Sequence, residues 1–132
     1  MTISLEDRLA IHELISLHGH IVDDGELARL REVFTVDVVY DLTPMGGSVL
    51  EGLDAIEEAS LRLGDGNPVG HHVTNVIVND SDDRVTARSK AIGIRKDGSA
   101  GSLVYDDILE RTEAGWRISR RSVTLRRVPL HP

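Results

Sequence analysis

Near the N-terminus, apolar positions recur with a period of about 3.6 residues, the signature of one face of a helix. Ala10, Leu14, Leu17 and Ile21 form the stripe, and Ile11, Ile15 and Val22 flank it. Ser4 with Asp7 reads as a helix N-cap followed by an acidic first turn. Asp23-Asp24-Gly25 closes the helix, since glycine tolerates the left-handed turn that ends one. A second, short helix is predicted over about 26–34, with Leu27, Leu30 and Phe34 turned inward. A third, over about 53–63, starts after Gly52 and carries Ile56, Ala59 and Leu63 at helical spacing.

The remaining pattern is that of strands. Val36–Thr43 is apolar and β-branched and is turned by Pro44 and Gly46-Gly47, with Ser48–Glu51 as a short return strand. His71–Asn79 (HHVTNVIVN) gives a strong strand signal and ends in the acidic turn Asp80–Asp83. Val85–Arg95, Gly101–Arg111 and Trp116–Val128 follow, separated by the turns Lys96-Asp97-Gly98 and Glu113–Gly115. Short polar turns between the last four strands predict an antiparallel meander. Helices followed by strands is the α+β pattern. The expectation is one domain over residues 1–132, with N-terminal helices folded over a curved antiparallel sheet.

Alternation assigns faces within each strand. Val85, Ala87, Ser89, Ala91 and Gly93 share one face of their strand, and Thr86, Arg88, Lys90, Ile92 and Ile94 share the other. If the small set faces the helices it either leaves a ligand pocket beneath them or lets helix and sheet pack closely. Only 3% of the chain is aromatic, so few side chains could fill such a space. By the same alternation His71 shares a face with Val73, Asn75 and Ile77, and His72 with Thr74, Val76 and Val78.

Composition narrows the function classes. The 132 residues are 40% hydrophobic and 28% charged, as in ordinary globular chains. There is no cysteine, which excludes disulfides, thiolate metal sites and cysteine nucleophiles. The formal net charge of −7 argues against nucleic acid as a partner. The one basic concentration, Arg117, Arg120, Arg121, Arg126 and Arg127, alternates with Ser119, Ser122, Val123 and Leu125 as a solvated or subunit-facing strand surface would. No signal-peptide pattern opens the chain and no apolar run is long enough for a membrane span, so a cytoplasmic location is expected.

Six histidines focus the search for chemistry. His131 belongs to the tail, and His12 falls on the polar side of the first helix. His18 falls near the centre of the apolar stripe, so it is either a core residue bonded to backbone or a pocket residue. Asp23 is either a turn-forming residue beside Asp24 or a carboxylate that orients a histidine. The second role needs the helix to end there and turn Asp23 inward, which Gly25 permits. An aspartate so placed fixes the imidazole tautomer and makes the ring a general base. Tyr40 and Tyr105 each lie within a predicted strand and could donate to a carbonyl or a developing oxyanion, or be plain core residues. Asp107 shares the face of Tyr105 and, if buried, needs a cation, for which Arg120 is the candidate. The histidine spacing offers no zinc motif.

The order of these features resembles the SnoaL-like branch of the nuclear transport factor 2-like superfamily, which also contains scytalone dehydratase. The residues that carry the resemblance are Ile11–Phe34 (IHELISLHGHIVDDGELARLREVF), Asp37–Asp41 (DVVYD), Gly52–Ile56 (GLDAI), His71–Asn75 (HHVTN) and Trp116–Arg121 (WRISRR). The resemblance implies a cone-shaped curved sheet capped by helices and enclosing a pocket, in a homodimer or homotrimer. It implies a catalytic pair, Asp23 and His71, with Tyr40 as a pocket tyrosine and His18 standing where many relatives have tyrosine. Val22 departs from the tyrosine that scytalone dehydratase carries before its aspartate, and Val85–Arg95 has no second pocket histidine; both argue against scytalone as substrate.

The reading that follows is a cofactor-free, metal-free lyase or isomerase, dehydratase-like, acting on a small hydrophobic or aromatic molecule. His71 is expected as base, Asp23 as its orienting group, and Tyr40, His18, Asn75 and Tyr105 as substrate-binding residues. A polyketide cyclase or ketosteroid-isomerase-like enzyme is the nearest chemical alternative. A non-catalytic binding or oligomerisation domain, or an accessory subunit like that of ring-hydroxylating dioxygenases, is the alternative of a different kind.

Overall fold

The first helix begins where the sequence marks it. In the computed structural model, which describes residues 2–81 and 83–130, Ser4 and Asp7 form a reciprocal capping box at the start of α1 (Leu5–Asp23). The His131 tail and part of the expected Asp80–Asp83 turn lie outside the described residues. The α1 stripe buries Ile11, Leu14, Ile15, His18 and Ile21. The helix expected over 26–34 is a short 3-10 turn, Leu27–Glu32, with Leu30 buried. The second α-helix, α2, spans Leu53–Leu63 and buries Ile56.

Six strands follow the predicted positions closely: β1 (Phe34–Asp41), β2 (Val49–Glu51), β3 (Gly70–Asn79), β4 (Val85–Ile94), β5 (Ala100–Thr112) and β6 (Gly115–Arg126). They form one sheet in the order β2-β1-β6-β5-β4-β3. The meander β3 to β6 is antiparallel throughout. The expectation of a wholly antiparallel sheet is corrected at one pair, since β1 runs parallel to β6. The long excursion through α2 and the meander supplies the crossover that a parallel pair requires. The sheet is curved and is not closed into a barrel, because β2 and β3 remain its two edges.

Helix α1 lies along β3 and β6, over the concave face. Val85, Ala87, Ser89 and Ala91 of β4 are buried on that face, as the alternation predicted. Gly19 marks where α1 meets β3, since a Cβ there would stand 2.5 Å from the carbonyl oxygen of His71. Only glycine permits that approach.

Two β-bulges break the alternation elsewhere. On β3 the register jumps between Thr74 and Ile77, so Asn75 and Val76 stand opposite Ser89. Asn75 takes a left-handed conformation, φ 56°. The extra residue turns the following side chains over. The faces assigned from periodicity are therefore corrected: Val76 and Val78 pack on the core, while Ile77 is 69% exposed. On β6 the register jumps at Ser119, which has no counterpart between Ile108 and Leu109 on β5. Strict alternation from Trp116 and Ile118 would send Arg120 inward; the bulge sends Arg121 inward instead.

Candidate active site

The first helix ends at Asp23, and the chain closes back on itself with the Glu26 N–H donating to the Ile21 carbonyl at 3.0 Å. This termination turns Asp23 toward the first turn of β3. Its carboxylate accepts from the backbone N–H of His71 at 3.0 and 3.1 Å and lies 2.6 Å from His71 Nδ1. Three contacts to one residue fix both the strand start and the imidazole. With the Nδ1 proton on the carboxylate side, Nε2 keeps its lone pair, the arrangement of a general base. The side chains of Asp23 and His71 are 25% and 17% accessible, so the pair sits at the rim of the concave space.

Deeper in that space lies a buried polar group that the sequence did not disclose. Arg121 is 0% exposed and forms a two-pronged ion pair with buried Asp107, Nε to Oδ1 at 2.7 Å and Nη2 to Oδ2 at 2.9 Å. Asp107 does share the face of Tyr105, but its expected partner Arg120 is instead on the outer face, 3.1 Å from Asp41. The placing of Arg121 on a solvated strand surface is likewise corrected. Its guanidinium carbon stands 3.9 Å from the Tyr105 ring centroid and 5.5 Å from that of Phe34. Burial disfavours the Arg121 charge, yet the Asp107 carboxylate more than offsets this and moves the guanidinium pKa up.

His18 is buried, with its Nδ1 3.3 Å from Arg121 Nη1. Its ring lies edge-to-face with Phe34, His71 and Tyr105, the centroid distance to His71 being 6.3 Å. Burial first, then Arg121 and His71, hold its pKa well below that of a free imidazole. Tyr40 packs against Phe34 at 5.7 Å. Burial pushes the Tyr40 phenol pKa up, with Arg121 partly opposing. Burial also pushes Tyr105 up, aided by Tyr40 beside it. Both phenols therefore stay protonated donors at neutral pH.

Of the residues expected at the site, the structure brings Asp23, His71, His18, Tyr105 and Tyr40 to one side of the sheet. Asn75 is not among them. It is exposed at the β3 bulge, and its left-handed backbone, which asparagine adopts more readily than most residues, is a conformational role. Leu42, Val73, Ala91, Leu103 and Val123 supply apolar surroundings for Tyr40 and Tyr105. An open groove of about 470 Å³ between Ile77, Arg88, Asp106 and Arg120 lies on the outer face, away from these residues. Among the described residues no three His, Cys, Asp or Glu side chains converge as metal ligands would, and no helix is long and apolar enough to cross a membrane.

Comparison with known proteins gives a consistent result. A family model described as the SnoaL-like domain matches residues 4–122. An uncharacterized protein of Mycobacterium tuberculosis is 31% identical over 128 residues, covering 91% of this chain and 86% of its own. An NTF2-like protein with a cystatin-like fold from Novosphingobium aromaticivorans is 31% identical, with a TM-score of 0.76 over 92% of this chain and 82% of its own. A type 2 hexachlorocyclohexane dehydrochlorinase superposes with a TM-score of 0.76 over 96% of this chain and 90% of its own. At 20% identity that last likeness shows the fold alone.

Proposed function

The chain belongs to the SnoaL-like domain family, and from that membership we propose that it is a cofactor-independent lyase or isomerase, dehydratase-like, that takes a proton from carbon. The observation that carries this reading is the 2.6 Å contact between Asp23 Oδ1 and His71 Nδ1. An imidazole held in this way has its Nε2 free to accept a proton. Asp23 stabilises the imidazolium that forms, a contribution of the kind that makes an orienting aspartate worth up to about 10⁴ in rate. The proton removed is alpha to a carbonyl, or beta to a leaving group. Tyr40 and His18 are the donors available to the oxygen on which charge develops, with Tyr105 hydrogen-bonded to Tyr40 beside it.

The side chains around the pair support one class of substrate. Arg121 and Asp107 neutralise each other, and the surroundings of Tyr40 and Tyr105 are apolar. A small, uncharged, hydrophobic or aromatic molecule bearing one carbonyl or hydroxyl fits that chemistry. The dehydrochlorinase that shares the fold carries elimination in its name, which agrees with this class of reaction.

The test is a panel of cyclic and aryl β-hydroxy ketones and β-halo ketones. Binding is read by thermal shift and elimination by the absorbance of the conjugated product. Turnover of at least one compound, reduced about 10²–10⁴-fold in Asp23→Asn, is the expected result. Turnover by Asp23→Asn at the wild-type rate would remove Asp23 from the mechanism. Binding without turnover across the panel would favour a non-catalytic small-molecule-binding domain.

A further inference from the structure

Arg121 contacts His18, whose ring in turn lies edge-to-face with that of His71. A guanidinium has five N–H donors and no acceptor. Its contact with His18 Nδ1 at 3.3 Å can only be a donation, so His18 Nδ1 carries the lone pair. Neutral imidazole then holds its proton on Nε2. Among the described residues no protein group accepts from that nitrogen, although His18 is only 4% exposed. The result is an N–H donor without a protein acceptor, on a ring 6.3 Å from that of His71.

We propose that Arg121 is a positioning residue, which locks His18 as a neutral imidazole with Nε2–H directed at the substrate oxygen. This rests on the reading of His71 as base and names the group that works opposite it. His71 removes the proton, and His18 Nε2–H binds the oxygen on which the resulting negative charge gathers. A neutral imidazole suits this task because it donates without giving up its proton, so no charged intermediate is trapped on His18. Burial and the neighbouring Arg121 charge both disfavour its protonation, in keeping with the geometry. Asp107 holds the guanidinium in plane through two parallel bonds, so the third donor is aimed rather than free.

The experiment is long-range ¹H–¹⁵N correlation on protein labelled at histidine nitrogen, at neutral pH. The proposal expects His18 with an unprotonated Nδ1 and a protonated Nε2, as a single tautomer. A His18 that is protonated on Nδ1, or doubly protonated, overturns it. The same spectrum reports His71 separately. A His71 protonated on Nε2 instead of Nδ1 would sink the base reading, leaving the His18 result to stand or fall alone. Replacement of the pair in Arg121→Met/Asp107→Asn should release the lock and give His18 mixed tautomers, and an unchanged single tautomer in that folded variant contradicts the role of Arg121. Should the double variant not fold, the wild-type spectrum still decides. On a substrate found by the elimination panel, His18→Phe should lower kcat about 10²–10³-fold, the usual loss for one oxyanion donor. An unchanged kcat in His18→Phe overturns the assignment of Nε2–H to the substrate oxygen.

Discussion

Asp23 is the acceptor for three contacts from one residue, the ring and the backbone N–H of His71, and its place in the chain explains why. A carboxylate at a helix C-terminus is disfavoured by the helix dipole. It persists where another donor repays that cost, and here the donors come from the start of β3. His18 carries a separate consequence. Its folded pKa lies below the unfolded value of 6.5 because of burial, then Arg121 and His71. As pH falls, the unfolded chain therefore takes up the proton before the folded one does. The stability held by neutral His18 is complete above the unfolded value and is lost as pH falls below it, toward the depressed folded value. The melting temperature should drop between about pH 7 and pH 5, and drop less in His18→Gln, which has no titrating group. Equal drops in the two proteins would show that His18 is not held neutral by folding.

At the scale of elements, the contact between α1 and β3 sets the geometry. Gly19 is the point of closest approach, and the Asp23–His71 contacts lie one helical turn further on. Alanine at 19 gains about 1 kcal/mol of helix propensity. Its Cβ would meet the His71 carbonyl oxygen at 2.5 Å, and that oxygen belongs to a paired strand that cannot move away alone. Overpacking of this kind costs about 1–3 kcal/mol. Gly19→Ala should therefore lower the urea midpoint and weaken the Nδ1–H contact of His71, followed by its proton resonance. A variant of unchanged stability with an intact contact would mean that α1 is not seated by Gly19. The elements themselves were largely legible in the sequence. The α1 stripe, the α2 limits and the four meander strands follow from periodicity and turn residues, because local pattern and tertiary burial agree there. The two bulges were not legible, because a bulge inserts one residue without any change of residue type. At Asn75 it removed an expected site residue, and at Ser119 it exchanged Arg120 for Arg121.

Across the whole molecule, the concave side of the sheet is built around a charge pair rather than an apolar plug. Asp23, His71, His18, Tyr40 and Tyr105, which share that side, were each singled out in the sequence by residue chemistry, and all but Tyr105 by the family pattern as well. Arg121 could not be, since five arginines in one strand and its tail look alike until the bulge selects one. Removing one partner of a buried pair leaves an uncompensated charge and costs about 3–5 kcal/mol, whereas replacing both with apolar groups is often close to neutral. Arg121→Met should be strongly destabilised, and Arg121→Met/Asp107→Leu should recover most of the loss in chemical denaturation. A double variant no more stable than the single one would show that the two side chains do not act as one unit.

The central claim is that His71, held by Asp23, removes the substrate proton. Its most direct test is the turnover of His71→Ala on a compound that the wild-type protein converts, with the melting temperature measured alongside. The account predicts turnover lost by at least about 10²-fold with thermal stability nearly intact, because His71 lies at the accessible rim. A stable His71→Ala protein that converts the compound at the wild-type rate would contradict it.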